Sequence, residues 1–330
     1  MSDVGSAAPT NMWLTSAGWQ RLLRDRPIIP LLALLAVLVL LFEIGPGSVN
    51  ANWVGVILRQ AVPLAILAGC QTLTMLTGGI DLSVGAVASM SGFLVATLVG
   101  DLGLPVAITV ALGASMLAGL LNGIGVGVFR VHPLIMTLGM SLVVLGLSNV
   151  WQLMMVQTGS GVPAELRTIG SGLAFTVLPY NLLVFVPVAL LIVVGLRRTG
   201  FGRLLYAVGD NPIAARLSGA RSWQVLIVLY VLSSLLAGIA GLLVSGLNNV
   251  ASVTLADALV LPSVAAAVIG GTSILGGRGG FTGTIVGALI LTVITSLLSA
   301  MGYPEAVRQI LFGAIIVAVA AAYTRVTSET

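Results

Sequence analysis

Few residues in this sequence could carry acid–base, nucleophilic or metal chemistry. Its only histidine, His132, has no cysteine or carboxylate near it in the chain, and its only cysteine, Cys70, has no partner for an intrachain disulfide. A phosphate-binding GxxxxGK(S/T) loop is excluded because the sequence contains no lysine. The sequence therefore predicts no enzyme activity, no metal site and no cofactor bound by this chain.

Two glycine-rich stretches are notable for their backbone instead of their side-chain chemistry. GGIDLSVG at 78–85 and GGTSILGGRGG at 270–280 interrupt apolar runs, and their paired glycines predict irregular backbone. In lipid an unpaired peptide group costs several kcal/mol, so such a loop is stable only where protein buries it or where it lines an aqueous path. We interpret both stretches as candidate parts of a pore or its gate. The candidate gate residues are Gly78, Gly79, Asp81, Ser83, Gly270, Gly271, Gly276 and Gly277.

Asp81 is the most informative single residue of these stretches. A carboxylate near the centre of a bilayer costs about 2.5 to 3.5 kcal/mol, so its presence needs a physical reason. One reason is helix capping, because Asp81 and Ser83 directly precede an apolar run whose first N–H groups need acceptors. The other is a direct role in gating or in contact with a transported solute. The sequence leaves both interpretations open.

Several uncharged polar side chains lie inside apolar runs. Hydroxyl and carboxamide groups can exchange hydrogen bonds with a polyol without holding it so tightly that it cannot leave. Each of them could equally bond to a neighbouring helix, where such contacts contribute about 0.6 kcal/mol on average. The candidate pathway residues are Gln71, Thr74, Asn122, Thr137 and Ser141.

The composition indicates the environment in which the chain folds. Hydrophobic residues make up 58% of the chain and charged residues 7%, against roughly 25% charged in a soluble domain. Such a chain cannot cover itself with polar surface, so its helices must face lipid. The net charge of +4 comes from scattered arginines, not from a basic stripe, which argues against a nucleic-acid partner.

About ten apolar runs are long enough, or nearly so, to cross a bilayer as helices. The small residues Gly119, Gly123 and Gly127 form a stripe that is typical of close helix packing. We therefore predict an all-α, polytopic membrane protein in which some helices are broken. The predicted runs are 28–44, 54–76, 82–100, 105–129, 133–157, 181–196, 223–247, 259–276, 281–301 and 305–323.

The arginines predict the orientation of these runs. Ten crossings place eleven arginines on the side of the N-terminus and only Arg59, Arg167 and Arg308 on the other. Because short cytoplasmic loops are enriched in basic residues, both termini are predicted to be cytoplasmic. The apolar run after Arg26 has no cleavage site, so it is expected to remain as a helix. The predicted organisation is a cytoplasmic tail at 1–26, one transmembrane domain at 27–325 and a short tail at 326–330.

The longest predicted cytoplasmic segment is the loop at 197–222. Asn211 is a good N-cap, Pro212 suits the first helical position, and Gly219 suits the residue just past a helix end. These signals predict a two-turn helix over 212–218, outside the membrane. A surface helix with its own start and stop signals is a candidate docking element. The alternative is a solvated connector without a partner.

Four segments together resemble one family. They are LTGGIDLSVGAVASMSG (76–92), GLLNGIGVGVFRVHPLIMTLGM (119–140), FGRLLYAVGDNPIAARLSGA (201–220) and VIGGTSILGGRGGFTGTIVGALI (268–290). In these segments the chain resembles the permease subunits of bacterial ABC importers for monosaccharides of the ribose, arabinose, xylose and galactose type. The resemblance implies an ABC importer permease fold in the bacterial inner membrane.

The same resemblance implies partners. A second permease, identical or paralogous, would enclose the pathway with this chain, and a periplasmic sugar-binding protein would deliver the monosaccharide. A cytoplasmic ATPase subunit would use ATP and Mg²⁺ and would dock on the segment at 201–220. The residues that this implies for ATPase coupling are Gly209, Asp210, Asn211, Pro212, Ala215, Arg216 and Gly219.

Alternatives remain at the level of the sequence. Related ABC importer permeases for nucleosides or branched-chain amino acids share the architecture. The motif Ile80-Asp81-Leu82-Ser83, however, resembles that of the sugar permeases. A secondary transporter or passive channel would need no ATPase. Sparse charge within the apolar runs argues against ion coupling, and the structured loop argues against a bare channel.

Overall fold

The apolar runs of the sequence form the helices of the computed structural model, which describes residues 28–45, 47–155, 161–175 and 177–328, with side chains to 318. The predicted tail at 1–26 lies outside the described residues. The helices are α1 Ile28–Ile44, α2 Ala51–Met75, α3 Val84–Leu102, α4 Leu104–Gly127, α5 Pro133–Met155, α6 Ala164–Ser171, α7 Leu182–Arg198, α8 Gly200–Asp210, α9 Pro212–Leu217, α10 Ser222–Asn248, α11 Val260–Ile269, α12 Phe281–Ala300 and α13 Glu305–Ser328.

The all-α prediction is confirmed for the described residues, apart from one small hairpin. Strands β1, Leu173–Ala174, and β2, Leu178–Pro179, pair antiparallel between α6 and α7. Among the described helices, α2, α3, α4, α5, α10 and α12 are long and apolar enough to cross a membrane. Helices α7 and α8 add a seventh candidate if the pair, bent by 68°, is one broken span.

The predicted run at 259–276 differs most from the structure. Its helix, α11, ends at Ile269 after ten residues, which is about 15 Å and half the depth of a bilayer core. The reason is Gly270-Gly271, where the backbone turns and Gly271 adopts a φ of +88°. The glycine loop therefore begins inside the predicted span, as expected for an interrupted helix.

Helix α10 forms the centre of the packing, against α2, α3, α4 and α6. The glycine stripe on α4 lies along it, because methyl groups at Gly119, Gly123 and Gly127 would come within 2.9 Å of α10 backbone atoms. The predicted packing role of this stripe is thereby confirmed. Only small side chains allow helix backbones to approach this closely. Lipid provides no hydrophobic driving force for helix association, so close packing of this kind is what holds the two helices together.

Two ends of the helical bundle can be distinguished by their contacts. At one end the Gly277 N–H donates to Leu76 O at 3.0 Å, and the Tyr206 hydroxyl donates to Gly279 O at 2.9 Å. We call this the arginine-rich end, formed by segments 76–83, 128–132, 197–222 and 270–280, since it carries Arg130, Arg197, Arg198, Arg203, Arg216, Arg221 and Arg278.

At the opposite end, the Trp53 indole N–H donates to Ser296 Oγ at 3.3 Å, and Arg59 Nη1 donates to Ser171 O at 2.5 Å. This opposite end comprises segments 47–60, 101–104, 161–181, 248–258 and 296–308. The described arginines are therefore distributed unequally between the two ends of the bundle, as the positive-inside pattern of the sequence predicts.

Candidate functional site

The two glycine-rich stretches meet the end of α8 in one place, which we call the glycine junction: Leu76, Gly78, Gly209, Gly276 and Gly277. A methyl group at Gly209 would lie 1.8 Å from Leu76 O and 2.7 Å from Gly277 N. One at Gly276 would lie 2.8 Å from Gly209 O and 3.1 Å from Gly78 N. Three backbone segments distant in sequence are therefore in direct contact, without side chains between them.

Both glycine-rich stretches follow a helix that ends with the same hydrogen-bond motif. At the end of α2, the Gly78 N–H donates to Met75 O at 2.9 Å and the Gly79 N–H to Thr74 O at 3.1 Å, with Gly78 at φ +77°. At the end of α11, the Gly271 N–H donates to Val268 O at 2.9 Å and the Thr272 N–H to Ala267 O at 3.0 Å. These are two Schellman motifs, in which a left-handed glycine lets the chain leave the helix with its carbonyls satisfied.

The predicted helix in the 197–222 loop begins directly after the glycine junction. The Asn211 carboxamide oxygen accepts hydrogen bonds from Ile213 N and Ala214 N at 3.1 and 3.0 Å, as an N-cap does. Pro212 is the first residue of the helix, and Gly219, at φ +86°, follows its end. The predicted helix is confirmed as α9. A methyl group at Gly277 would lie 2.9 Å from Asp210 Cα, so α9 and the junction are joined without an intervening linker.

The surface of α9 is unusual for a helix at an aqueous interface. Ile213 is 65% exposed and Leu217 is 85% exposed, four residues apart on one face. Ala215 is buried, and Arg216 is exposed with its Nε donating to Pro212 O at 3.1 Å. The exposed pair gives α9 an apolar face that the described residues do not cover.

Asp81 lies fully buried beside this region. Its Oδ1 accepts hydrogen bonds from Ser83 N at 2.9 Å and Ser83 Oγ at 2.6 Å, and its Oδ2 accepts one from Ser233 Oγ at 3.3 Å. Ser83 immediately precedes the first residue of α3, so the carboxyl group holds the turn that leads into that helix. The helix start has no side-chain cap hydrogen bond at Ser83, so the predicted capping of its first N–H groups is not observed, and the contacts of Asp81 favour a structural role in the preceding turn.

Three of the candidate pathway residues hold the segment around Asp81. The Gln71 carboxamide forms two hydrogen bonds with the backbone of Asp81, donating to its carbonyl at 2.8 Å and accepting from its N–H at 3.2 Å. Thr137 Oγ1 donates to Ile80 O and accepts from Leu82 N. Asn122 Nδ2 donates to Ser83 Oγ at 2.9 Å. These side chains bring α2, α4 and α5 onto one loop.

The remaining pathway residues are placed differently. Thr74 is buried and donates to carbonyls within α2, while Ser141 is half-buried, one turn beyond Thr137. A contact between any of the five residues and a transported solute stays a prediction.

Two tyrosines at the site were not identified from the sequence. Tyr206 ties α8 to the 270–280 loop through Gly279. Tyr230 is fully buried on α10, its hydroxyl has no hydrogen-bond partner among the described residues, and a methyl group at Gly79 would lie 3.0 Å from it. A lone tyrosine in the apolar run of α10 was the available signal, because a phenol deep in a span needs a polar neighbour.

Comparison with known proteins identifies the family. A profile of the family described as branched-chain amino acid transport system / permease component matches residues 54–320. The chain is 34% identical over 307 residues to the fructose import permease protein of Rhizobium meliloti, covering 90% of this chain and 85% of that one. No solved structure matches the chain significantly.

Two relatives from Escherichia coli are similar at the same level. The ribose import permease protein is 34% identical over 289 residues, covering 87% of this chain and 90% of the relative. The galactofuranose transporter permease protein is 34% identical over 270 residues, covering 80% and 77%. The chain therefore belongs to the branched-chain amino acid transport system / permease component family, as a permease subunit of an ABC importer.

Proposed function

We propose that this chain, paired with a second permease copy or paralogue, forms the membrane pathway through which an ATP-driven importer moves a monosaccharide into the cytoplasm. A separate ATPase subunit hydrolyses ATP, and a periplasmic binding protein delivers the sugar. The observation that carries the proposal is the direct backbone contact of Gly209, at the base of α9, with Leu76, just before the first glycine-rich stretch, and with Gly277 in the second. The names of the fructose, ribose and galactofuranose relatives support a pentose or hexose as substrate.

The mechanism follows from that contact. Closure of the ATPase pair displaces α9, and the displacement reaches Leu76 and Gly277 through backbone atoms without a flexible connector. Leu76 follows the last residue of α2, and Gly277 belongs to the loop between α11 and α12. Moving the junction therefore shifts α2 relative to the α11–α12 pair, and this shift opens the pathway alternately to each side.

The finer topology is part of the proposal: ten crossings, both termini in the cytoplasm, and the arginine-rich end facing the cytoplasm of a bacterial inner membrane. The unequal distribution of arginines supports it. We expect a membrane-impermeant maleimide to label Thr168→Cys in intact cells, and Arg203→Cys only in inside-out vesicles. Both positions are exposed, and the wild-type chain is the control because its only cysteine, Cys70, is buried. Labelling of Arg203→Cys in intact cells would reject this orientation.

Variants in the exposed apolar face of α9 test whether the ATPase subunit docks on this helix. We expect the double variant Ile213→Ser, Leu217→Ser to reduce co-purification of the ATPase subunit and sugar uptake in proteoliposomes at least tenfold. Truncating two apolar contacts at the centre of an interface typically removes several kcal/mol of binding energy, and tenfold requires about 1.4 kcal/mol. Ala214→Ser, an exposed position in the same helix without a large apolar side chain, is the matched control.

Retention of both ATPase binding and uptake in the double variant would remove the docking assignment. Uptake by the wild-type permease reconstituted without any ATPase would favour a secondary transporter or channel. The family description keeps branched-chain amino acids open as a second substrate class, and nucleosides remain a third. The ligand that co-purifies with the cognate binding protein decides between these classes.

A further inference from the structure

A pocket of about 440 Å³ lies at the arginine-rich end, where α4 ends and α10 begins. Three elements each contribute an arginine to its wall: Arg130 follows α4, Arg216 belongs to α9, and Arg221 precedes α10. Ser222 and Trp223, the first residues of α10, complete what we call the arginine pocket. Its volume falls within the roughly 300 to 1,000 Å³ of small-molecule sites.

The arginine pocket lies at the level where two spanning helices leave the membrane. Helices α4 and α10 are both long and apolar enough to cross a bilayer. A methyl group at Gly127, the last residue of α4, would lie 2.9 Å from Trp223 O, so the two helix ends are in direct contact. Because the pocket begins where these apolar helices end, we place it at the depth of the lipid headgroups.

The positive charges of this pocket are not neutralised by the protein. No carboxylate lines it, and within the described residues none of its three arginines forms an ion pair. Arg216 Nε donates to Pro212 O inside its own helix. In the part of the chain that the structure describes, the side chains of Arg130 and Arg221 have no hydrogen-bond partner. Three unpaired guanidinium groups around one space attract an anion together, since their fields add.

The start of α10 strengthens this preference. No side chain caps its first turn, and Ser222 Oγ is buried without a hydrogen-bond partner among the described residues. A helix N-terminus carries a partial positive charge, and a serine hydroxyl can donate to a phosphate oxygen. The uncapped end of a 27-residue helix therefore favours the same kind of ligand as the arginines do.

The backbone at Arg130 is a further unusual feature. Its φ of +56° lies in the left-handed region, which a residue other than glycine rarely adopts. The turn is closed by the Val131 N–H, which donates to Gly125 O at 3.0 Å. Residues held in such conformations are concentrated at functional sites, where the side chain compensates for the backbone cost.

The rim of the pocket distinguishes a lipid from a soluble anion. Val128 is 51% exposed, Phe129 is 72% exposed and Trp223 is 46% exposed, and we call these three residues the apolar rim. Tryptophan beside basic residues is typical of the boundary between headgroups and acyl chains. A soluble anion would leave the apolar rim uncovered, whereas the acyl chains of a lipid would cover it.

We infer that the arginine pocket binds the headgroup phosphate of an anionic phospholipid, whose acyl chains lie along the apolar rim. Basic pockets between spanning helices take such headgroups on the cytoplasmic side of membranes, which is the side that we assign to this end. Arg130 and Arg221 hold the phosphate from the two span ends, and Arg216 contacts it from α9. The bound lipid therefore connects α9 to α4 and α10, whichever solute the importer moves.

The test uses the purified importer with its ATPase subunit, immobilised in dodecyl maltoside, and radiolabelled phosphatidylglycerol as the probe. Unlabelled phosphatidylcholine has a phosphate but no net charge, and inorganic phosphate has charge but no acyl chains. We expect both to compete about tenfold more weakly than phosphatidylglycerol, or weaker still. Arg130→Gln with Arg221→Gln is expected to lower the affinity for phosphatidylglycerol about thirtyfold, about fivefold from each guanidinium group.

A conservative variant and a matched control accompany this pair. Arg130→Lys with Arg221→Lys keeps both charges and is expected to stay within about threefold of wild-type affinity, because lysine binds phosphate as a point charge. Arg198→Gln with Arg203→Gln removes the same charge from exposed positions of the same end outside the pocket. This control is expected to bind phosphatidylglycerol as the wild type does. Unchanged co-purification of the ATPase shows that each variant is folded.

Four results would overturn the assignment. Equal losses of affinity in the pocket pair and in the Arg198 and Arg203 pair would show that the lipid responds only to overall charge. Competition by phosphatidylcholine equal to that of phosphatidylglycerol would exclude recognition of an anion, and equal competition by inorganic phosphate would indicate a site for a soluble anion. Loss of ATPase co-purification in the pocket pair, with lipid affinity unchanged, would assign these arginines to the ATPase contact.

Discussion

Replacing Gly209 with alanine is expected to lower sugar uptake by the assembled importer at least tenfold and to lower the number of sugars moved per ATP hydrolysed. The added methyl group would lie 1.8 Å from Leu76 O and 2.7 Å from Gly277 N, and both are backbone atoms that cannot rotate away. Overpacking of this kind costs typically 1 to 3 kcal/mol, and here the strain separates the segments that transmit movement from α9. Uptake and ATPase activity are measured together in proteoliposomes.

Gly195→Ala is the matched control for this prediction. Gly195 also lies in a helix, α7, but a methyl group there would meet nothing within 4 Å. A glycine-to-alanine change in an unobstructed helix raises stability by up to about 1 kcal/mol, so normal uptake is expected. Wild-type coupling in Gly209→Ala would show that the junction does not carry the movement.

Replacing Asp81 with alanine is expected to lower the free energy of unfolding by about 3 to 5 kcal/mol, because three hydrogen bonds to its carboxyl group are lost in a buried site. Ser83 N and Ser233 Oγ would lose their acceptor. Asp81→Asn keeps an acceptor oxygen for Ser83 and is expected to cost only about 1 kcal/mol. Denaturation of the detergent-solubilised permease, followed by tryptophan fluorescence, measures both.

The same pair of variants separates the two interpretations of Asp81. A structural role in the turn before α3 predicts that Asp81→Asn transports normally and that Asp81→Ala fails through instability. A gating role predicts that both variants are stable and that Asp81→Asn already transports poorly. The hydrogen bonds of Asp81 to Ser83, directly before α3, lead us to expect the first result.

Local signals in the sequence were sufficient to predict helix α9 and the irregular backbone of the glycine-rich stretches. Asn211, Pro212 and Gly219 act on their own neighbours through capping and fixed φ angles, so their effect can be read without the fold. Helix α8 was missed because its segment is mixed in polarity. Thr199 caps its start, and buried Leu205 and Val208 are spaced three residues apart on its inner face, a signal that was present.

The glycine junction could not be predicted from local signals. Gly209 and Gly195 look alike in sequence, and only the fold brings backbone from three distant segments against the first of them. The polar residues within spans illustrate the same limit. Gln71, Asn122 and Thr137 suited a solute pathway by type, but the packing of α2, α4 and α5 directs their hydrogen bonds to residues 80–83.

Helices α2, α11 and α12 meet through five buried alanines, Ala65, Ala68, Ala265, Ala266 and Ala288, in a cluster that also contains Leu64, Leu291 and Phe312. If water entered this contact, each alanine would expose one methyl group at about 0.8 kcal/mol, whereas each of the three larger side chains would cost about 1.5 to 3 kcal/mol. The alanines together contribute only about 4 kcal/mol, so the larger side chains dominate the cost of parting these helices. The movements of α2 that this packing permits at low cost are therefore those that keep Leu64, Leu291 and Phe312 covered.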